Sequence, residues 1–216
     1  MPGPDVYATA KQGWRTRLAS PLAARARASR YERFFALTGV RPGMRVVDVG
    51  CGPVGLRGFA PGLAVTGVDV RERPDYGGPF VQADASQRLP FEDGEFDLAY
   101  SSSVIEHVPP ERRAGFAAEL RRVARGWYVQ TPAFSFPVEP HALLPFAHWL
   151  PPRARRPYWR LGVAGDWEEI ALLRRRELTV LFPGAPVLAE RVGGLAKSWI
   201  SVAPASASPD AEDDRE

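Results

Sequence analysis

Cysteine and histidine are scarce in this chain of 216 residues, and each shortage argues against a class of site. The single cysteine, Cys51, cannot form an internal disulfide or a cysteine-based zinc cluster. The three histidines, His107, His141 and His148, lack the regular spacing of a metal site, so we expect no bound metal.

Long apolar runs are also lacking. No stretch reaches the roughly eighteen residues of a membrane span, so we expect no transmembrane segment. The first eleven residues lack the basic and then apolar pattern of a signal peptide. Together these features predict a cytoplasmic protein.

Lysine is the third scarce residue, since Lys11 and Lys197 are the only two, and the net charge of +3 is carried by arginine. Residues 204–216 carry a net charge of −4, which leaves +7 on the rest of the chain. This excess fits a solvated arginine-rich surface, or an anionic partner such as a phosphorylated sugar, a lipid headgroup or nucleic acid. The first interpretation is favoured, because no basic stripe alternates with aromatic residues as single-strand binding requires.

Apolar strand patterns alternate with helical patterns along the chain. Helices are expected at Leu22–Leu37, at Pro110–Ala124 and, from Arg174 onward, within Glu168–Phe182. Strands are predicted at Met44–Val49, Leu63–Val68, Phe80–Ala83, Phe96–Tyr100 and Trp127–Thr131. Gly193 and Gly194 separate the two arms of a closing hairpin, Pro186–Val192 and Lys197–Val202. The alternation predicts an α/β fold of parallel strands joined by crossover helices.

We expect one domain over residues 1–203, interrupted by an irregular insertion at residues 132–167 that holds seven prolines. The small, acidic segment 204–216 is expected to be a disordered tail. The insertion is also rich in aromatic residues, which would either roof an apolar pocket or form a satellite core under a long loop. These residues are Phe134, Phe136, Phe146, Trp149, Tyr158 and Trp159.

The strongest motif runs from the first predicted strand into a glycine-rich turn, Asp48-Val49-Gly50-Cys51-Gly52-Pro53-Val54-Gly55. Glycines let the backbone turn sharply and lie against a ligand. Asp69 ends the second strand, nineteen residues after Gly50, where an acid can bind both hydroxyls of a ribose. Asp84 follows the third strand, where a carboxylate can accept from an adenine amino group. Either acid alone could be a loop or cap residue, but three acids at the same edge of a sheet favour a nucleotide site.

These motifs, with Leu89-Pro90-Phe91, the Phe96–Ser101 segment and Ser101–Val108, resemble those of class I S-adenosylmethionine (SAM)-dependent methyltransferases. The type 11, small-molecule group is the most similar, and the resemblance covers about residues 30–131. It implies SAM as cofactor and a Rossmann-like, mostly parallel seven-stranded sheet, with helices on both faces and a C-terminal antiparallel hairpin strand. One departure is the short link from Gly55 to Leu63, which predicts a truncated helix after the glycine turn.

The resemblance implies a role for each matching position. Gly50, Cys51 and Gly52 would lie along the methionine part of the cofactor, and Asp48 would orient the glycine turn or the methionine ammonium through water. Asp69 would bind the ribose hydroxyls, and Val70 would pack on the adenine ring. Asp84 and Ala85 would form hydrogen bonds with the edge of the adenine, and the backbone carbonyl of Ser101 would accept from its amino group. Cys51 has no neighbouring base in sequence, so a buried filler is favoured over a nucleophile.

Methyl transfer requires alignment and exclusion of water, and it requires a general base only when the acceptor loses a proton. His107 and His141 are the two candidates for such a base, and each could instead be a structural histidine. His148 is expected to be a packing residue.

The sequence therefore predicts a SAM-dependent methyltransferase acting on a small-molecule or lipid-like acceptor, with the methylated atom and the oligomeric state left open. Two alternatives remain at this point: a nicotinamide-dependent Rossmann oxidoreductase, and a SAM-binding module without turnover. A nucleic-acid methyltransferase is disfavoured, because Ser101-Ser102-Ser103 stands where amino-methylating enzymes of that class carry an Asn/Asp-Pro-Pro-Tyr/Phe motif.

Overall fold

The computed structural model describes residues 31–164 and 167–205. The part of the first predicted helix before residue 31, and the tail from residue 206, lie outside the described residues. Four helices are described: α1 (31–38), α2 (Arg113–Val123), α3 (Pro152–Trp159) and α4 (Arg175–Leu181). Nine strands are described: β1 (Arg45–Val49), β2 (Ala64–Asp69), β3 (Phe80–Gln82), β4 (Phe96–Ser102), β5 (Ala124–Pro132), β6 (Val138–Glu139), β7 (Leu144–Pro145), β8 (Val187–Val192) and β9 (Leu195–Ala203).

Seven of the strands form one sheet in the order β3-β2-β1-β4-β5-β9-β8. The pairs among β1 to β5 are parallel, whereas β9 is antiparallel to both β5 and β8. The expected Rossmann-like sheet with a closing antiparallel hairpin is therefore confirmed. Strand order reverses between β1 and β4, and ligands bind at the carboxyl ends of the strands at such a switch point.

Both faces of the sheet are covered, because alternate residues of its central strands are apolar on either side. On one face, Val47 and Ala99 pack against the apolar side of α2, including Phe116 and Leu120. On the other face, Phe34 of α1 is fully buried among the side chains of β1, β4, β5 and β9. Its ring makes edge contacts with Tyr100 at 5.0 Å and with Tyr128 at 5.4 Å between ring centres.

The predicted strands and helices are all present where the chain is described, with shifted ends. The helix expected from Pro110 starts as a 3-10 turn at Pro110–Arg112 before α2 begins. The segment 168–174 is not helical, and α4 begins at Arg175. After the glycine turn there is only a 3-10 turn at Leu56–Gly58, in agreement with the predicted truncation.

The insertion forms a small layer of its own beside the end of β5. Strands β6 and β7 pair as a two-stranded antiparallel ribbon, and a 3-10 turn at Ala147–Trp149 leads to α3. Trp159 is buried in this layer against Ala142 and Leu144. Within the described residues, no helix is long and apolar enough to cross a bilayer.

We predict that Phe34→Ala lowers the free energy of unfolding by about 3–5 kcal/mol, because it leaves a cavity between α1 and the sheet. Phe35→Ala is the matched control in the same helix, since Phe35 is 37% exposed and should cost about 1 kcal/mol. Urea unfolding followed by circular dichroism measures both. Equal losses for the two variants would contradict the placement of α1 on the sheet.

Candidate active site

The carboxyl ends of β1, β2, β4 and β5 open onto a cavity of about 970 Å³. Because these strands are parallel, the side chains that follow them meet at the same edge of the sheet. One wall carries Gly50, Gly52, Asp69 and Asp84, and the opposite wall carries residues of the insertion, including His141. The cavity thus joins the two parts of the chain that the sequence marks as functional.

The two glycines of the turn after β1 are required for different reasons. Gly50 has φ +76°, and a Cβ there would lie 2.2 Å from the side chain of Val104. Gly52 has φ +60°, and a Cβ there would meet no described heavy atom within 4 Å. Gly50 therefore permits close packing of the turn on the loop after β4, whereas Gly52 keeps open the space in which a ligand would lie against the backbone.

Asp48 lies beneath the glycine turn and does not line the cavity. Its Oδ2 accepts a hydrogen bond of 2.6 Å from the backbone N–H of Leu56. Burial raises the pKa of Asp48 to about 7, against the opposing effect of that hydrogen bond and with a smaller contribution from the charge of Asp69. Of the two roles expected for Asp48, its contact is the one that orients the glycine turn.

Asp69 ends β2 and points along the cavity wall. Its carboxylate accepts hydrogen bonds from the backbone N–H groups of Gly52 at 3.1 Å and Arg71 at 3.0 Å. Arg73 Nε also donates to Asp69 Oδ2 at 3.0 Å. These donors hold the carboxylate in place, and a carboxylate has lone pairs for further donors such as ribose hydroxyls.

Asp84 and its neighbours form the next part of the same wall. Asp84 Oδ1 accepts from the backbone N–H and hydroxyl of Ser86, and Arg112 donates to Oδ2 at 3.2 Å. Burial alone would raise the pKa of Asp84, but the bonds from Ser86 and the charge of Arg112 hold it below its usual range. Val70 and Ala85 also line the cavity, and Val70 is 45% exposed, an apolar surface suited to a flat ring.

Three expected cofactor residues lie behind the cavity wall: Asp48, Cys51 and Ser101. Burial raises the pKa of the Cys51 thiol to about 12, an environment that favours a filler over a nucleophile. Ser101 is buried within β4, and Ser102 and Ser103 line the cavity in its place. Ser101 lies one residue before the end of β4, and the expected contact of its backbone carbonyl with the adenine stays a prediction.

His107 and His141, 34 residues apart in sequence, meet on the side of the cavity next to the insertion, with ring centres 5.0 Å apart. Each ring is held by a carboxylate at Nδ1: Glu168 at 2.9 Å from His107, and Glu139 at 2.7 Å from His141. Glu106 lies beneath both and accepts a hydrogen bond of 2.9 Å from Thr131.

The electrostatics of this group follow from burial and pairing. Burial lowers the pKa of His107, but its hydrogen bond to Glu168 and the charge of Glu106 outweigh that effect and raise the pKa above its ordinary value. Burial would raise the pKa of Glu139, but the bonds from His141 and the backbone N–H of Ala142 hold it below its usual range. Glu139 is therefore a carboxylate partner for His141 at neutral pH.

Sequence reasoning missed the three carboxylates that surround the histidines. Glu106 precedes His107 directly and Glu139 precedes His141 by two residues, so both lay within segments already marked as functional. Glu168 carried no such signal, because it reaches His107 only through the return of the chain after the insertion.

The two alternatives for the aromatic residues of the insertion, a pocket roof and a satellite core, are each met by some of them. Of the six aromatic residues, Phe136 alone lines the cavity within the described chain. Trp159 is buried in the satellite core, and Phe146 and Trp149 face outward at 51% and 44% exposure. His148 bonds the backbone carbonyl of Phe134 at 2.9 Å, which agrees with a packing role.

Comparison with known proteins relates part of this sequence to methyltransferases. Residues 47–126 match a family model described as a methyltransferase domain. An uncharacterized methyltransferase of Mycobacterium sp. (strain JLS) is 40% identical over 99 residues, 42% of this chain and 38% of that protein. Cycloartenol-C-24-methyltransferase 1 of Oryza sativa subsp. japonica is 38% identical over 113 residues, 44% of this chain and 32% of that protein. The matches span about a third of the length of these curated relatives.

Solved structures extend the likeness over most of the fold. The PH0226 protein of Pyrococcus horikoshii OT3 is similar with a TM-score of 0.58 and 18% identity, over 91% of this chain and 92% of that one. Magnesium protoporphyrin IX methyltransferase of Synechocystis PCC 6803 was solved with bound SAM. It is similar with a TM-score of 0.55 and 15% identity, over 89% of this chain and 85% of that one. Residues 47–126 are therefore similar to a methyltransferase domain, and the described chain shares the fold of these solved structures.

We predict that Asp48 makes the ligand-free chain less stable as pH rises from about 4 to 7. In that window the Asp48 carboxyl binds more protons in the native state, where its pKa is about 7, than in the unfolded state, where its pKa is 3.8. Asp48→Asn keeps an acceptor for Leu56 but does not titrate, so it should gain stability relative to the unsubstituted chain between about pH 5 and pH 8. The gain should be on the order of 2–4 kcal/mol.

Urea unfolding at several pH values measures this difference. The control is Asp75→Asn, the same replacement at an exposed carboxyl, which should change the free energy of unfolding by no more than about 0.5 kcal/mol. A pH-independent difference between Asp48→Asn and the unsubstituted chain would show that the buried carboxyl does not retain its proton.

Proposed function

We propose that this chain transfers a methyl group from SAM to a small-molecule or lipid-like acceptor, which binds on the side of His107 and His141. The observation that carries the proposal is the single cavity shared by the glycine turn, Asp69, Asp84 and the two histidines. Its volume, about 970 Å³, lies at the upper end of the range for small-molecule sites, about 300–1,000 Å³. A space of that size suits a cofactor and an acceptor together.

The cofactor would lie along the wall formed by β1, β2 and the segment after β3. Gly52 leaves room against the backbone for the methionine part, and Asp69 would accept from the ribose hydroxyls. Val70 would cover the adenine, and Asp84 with Ala85 would meet its edge. The fit depends on open space at Gly52 and on a carboxylate that its own donors already hold in place.

The acceptor would lie toward the insertion, where the wall is largely apolar. Phe136, Val138, Pro140 and Leu143 line this part of the cavity. An apolar wall with a few polar groups is suited to a lipid-like or aromatic molecule. Two relatives with sterol methyltransferase names, matched over about a third of their length, support the same class of acceptor.

The chain's own residues have little chemistry to perform. When bound, SAM supplies a methyl group on a sulfonium with a good leaving group, so the site must align the acceptor and exclude water. The His141–Glu139 and His107–Glu168 pairs can orient an acceptor and bind a proton that it loses. The nicotinamide alternative finds no support in the relatives, and the antiparallel closing hairpin argues against it.

The direct experiment is mass spectrometry of the purified chain for co-bound SAM or S-adenosylhomocysteine, followed by an acceptor screen with a labelled methyl donor. Release of one of these compounds and labelling of a small apolar acceptor are the expected results. Cofactor binding without transfer to any acceptor would instead favour the alternative of a binding module.

We predict that Asp69→Ala weakens SAM binding tenfold to hundredfold, which corresponds to about 2–3 kcal/mol from two ribose hydroxyls left without their acceptor. Asp75→Ala, on an exposed loop nearby, is the control and should bind SAM normally. Titration calorimetry measures both affinities, and an unchanged affinity in Asp69→Ala would refute the ribose assignment.

We predict that His141→Ala reduces methyl transfer about a hundredfold while SAM affinity stays unchanged, because His141 would contact only the acceptor. His148→Asn is the matched control: it removes another buried histidine of the insertion that does not line the cavity. Single-turnover transfer of labelled methyl, with SAM affinity measured in parallel, separates the two effects. Full activity in His141→Ala would remove this residue from the mechanism and make His107 the next to test.

A further inference from the structure

Glu106, His107 and His141 place one potential ligand atom each within 4.8 Å of one another. These three residues, here called the triad, come from the 3-10 turn after β4 and from the insertion. Two imidazoles and one carboxylate are a ligand set found in catalytic zinc sites, which leave a further position open. The two histidines of the triad line the cavity, so an open position would face the acceptor space.

Glu106 provides the second and independent observation. It is 1% exposed, and among the described residues its Oε1 has no hydrogen-bond partner. Only Oε2 is satisfied, by the hydroxyl of Thr131. A buried carboxylate oxygen without a donor is costly, because burial removes the water that would otherwise solvate it. A cation bound to Oε1 would remove that cost.

The orientation of the imidazoles points the same way. Each histidine bonds a carboxylate through Nδ1, His107 to Glu168 and His141 to Glu139. Histidines that bind metals commonly donate their second ring N–H to a carboxylate, which fixes the tautomer and leaves a lone pair on Nε2. His141 Nε2 lies 3.8 Å from Glu106 Oε1. Tetrahedral zinc with bonds of about 2.1 Å separates neighbouring ligand atoms by about 3.4 Å. This pair would therefore close by about 0.4 Å, and no pair of the triad by more than about 1.4 Å.

We propose that the triad binds one divalent cation of the zinc type, and that the acceptor is a hydroxylated compound whose oxygen joins the open position. The role in methyl transfer rests on the proposed function, whereas cation binding does not. Imidazole and carboxylate ligands suit zinc and its neighbours among the transition metals better than magnesium or calcium, which prefer oxygen alone.

The cation's charge would favour the deprotonated form of the acceptor hydroxyl. In the transfer step the acceptor O–H bond breaks and its proton leaves to water. A C–O bond then forms to the methyl carbon as the methyl–sulfur bond breaks. The products are the methyl ether, S-adenosylhomocysteine and one proton. An amine or alkene acceptor has no acidic O–H for the cation to act on, so the proposal narrows the acceptor class to alcohols and phenols.

The test uses the full chain without an affinity tag, stripped of metal by a chelator and then titrated with Zn²⁺ in a calorimeter, in the absence of SAM. One Zn²⁺ per chain is the expected stoichiometry. Glu106→Gln should weaken binding at least about a hundredfold, because it removes the charged ligand while keeping the side-chain shape. Glu139→Gln should weaken it about tenfold to hundredfold, through the orientation of His141.

His148→Asn is the matched control, since it removes a buried histidine of the insertion outside the triad, and its Zn²⁺ affinity should be unchanged. Co²⁺ is the spectroscopic probe: visible absorption typical of tetrahedral nitrogen and oxygen ligands should appear on binding and vanish in Glu106→Gln. If Glu106→Gln fails to fold, His107→Asn serves in its place, because His107 is less buried. Absence of stoichiometric binding, or equal binding by the triad variants, would overturn the proposal.

The two proposals can fail separately. Methyl transfer that is unaffected by the chelator, in a chain that binds no Zn²⁺, would overturn the cation site and leave the proposed function standing. Zn²⁺ binding that depends on the triad, in a chain that does not bind SAM, would support the cation site and refute the proposed function.

Discussion

The site depends on two buried carboxylates that hold the turn after β1 from below. Asp48, in β1, accepts from the backbone of Leu56, and Asp69, at the end of β2, accepts from the backbone of Gly52. Buried backbone N–H groups need partners, so these bonds determine where the turn can lie. The parallel pairing of β1 with β2 brings the two acids to one edge. The wall that would receive SAM exists because of that pairing.

A second group of buried charges connects the insertion to the sheet. Glu106 follows β4 and bonds Thr131 in β5, and its backbone carbonyl accepts from Ala171 after the insertion. Glu139 and Glu168 each bond one of the two cavity histidines. Because these groups lose water on burial, each needs a specific partner, and this requirement limits the positions that the insertion can adopt over the cavity. Polar contacts therefore hold the insertion in position, although the cavity wall that it supplies is largely apolar.

The aromatic residues of the insertion show why composition alone left two alternatives open, a pocket roof and a satellite core. Trp159 is buried within the insertion itself, against Ala142 and Leu144. Phe146 and Trp149 pack on each other with ring centres 5.4 Å apart and stay exposed. Prolines restrict the backbone conformations of the insertion, so each short stretch packs its apolar side chains against neighbouring residues. A count of aromatic residues predicts apolar surface, but the direction in which each ring faces follows from backbone conformation that no periodicity encodes.

The sequence by itself determined the sheet, the glycine turn and the acids at strand ends. Apolar patterns mark strands and helices by their period, and the glycine turn and the acids are marked by their places at the ends of those strands. It also named both cavity histidines, but it treated them as separate residues and excluded a metal from their spacing along the chain. Tertiary structure alone decided that His107 and His141 share a site with Glu106. It likewise decided that Glu168 reaches His107 and that Ser102 and Ser103 line the cavity. The physical reason is that distances between segments are decided by packing and by the pairing of buried charges, which join residues far apart in the chain.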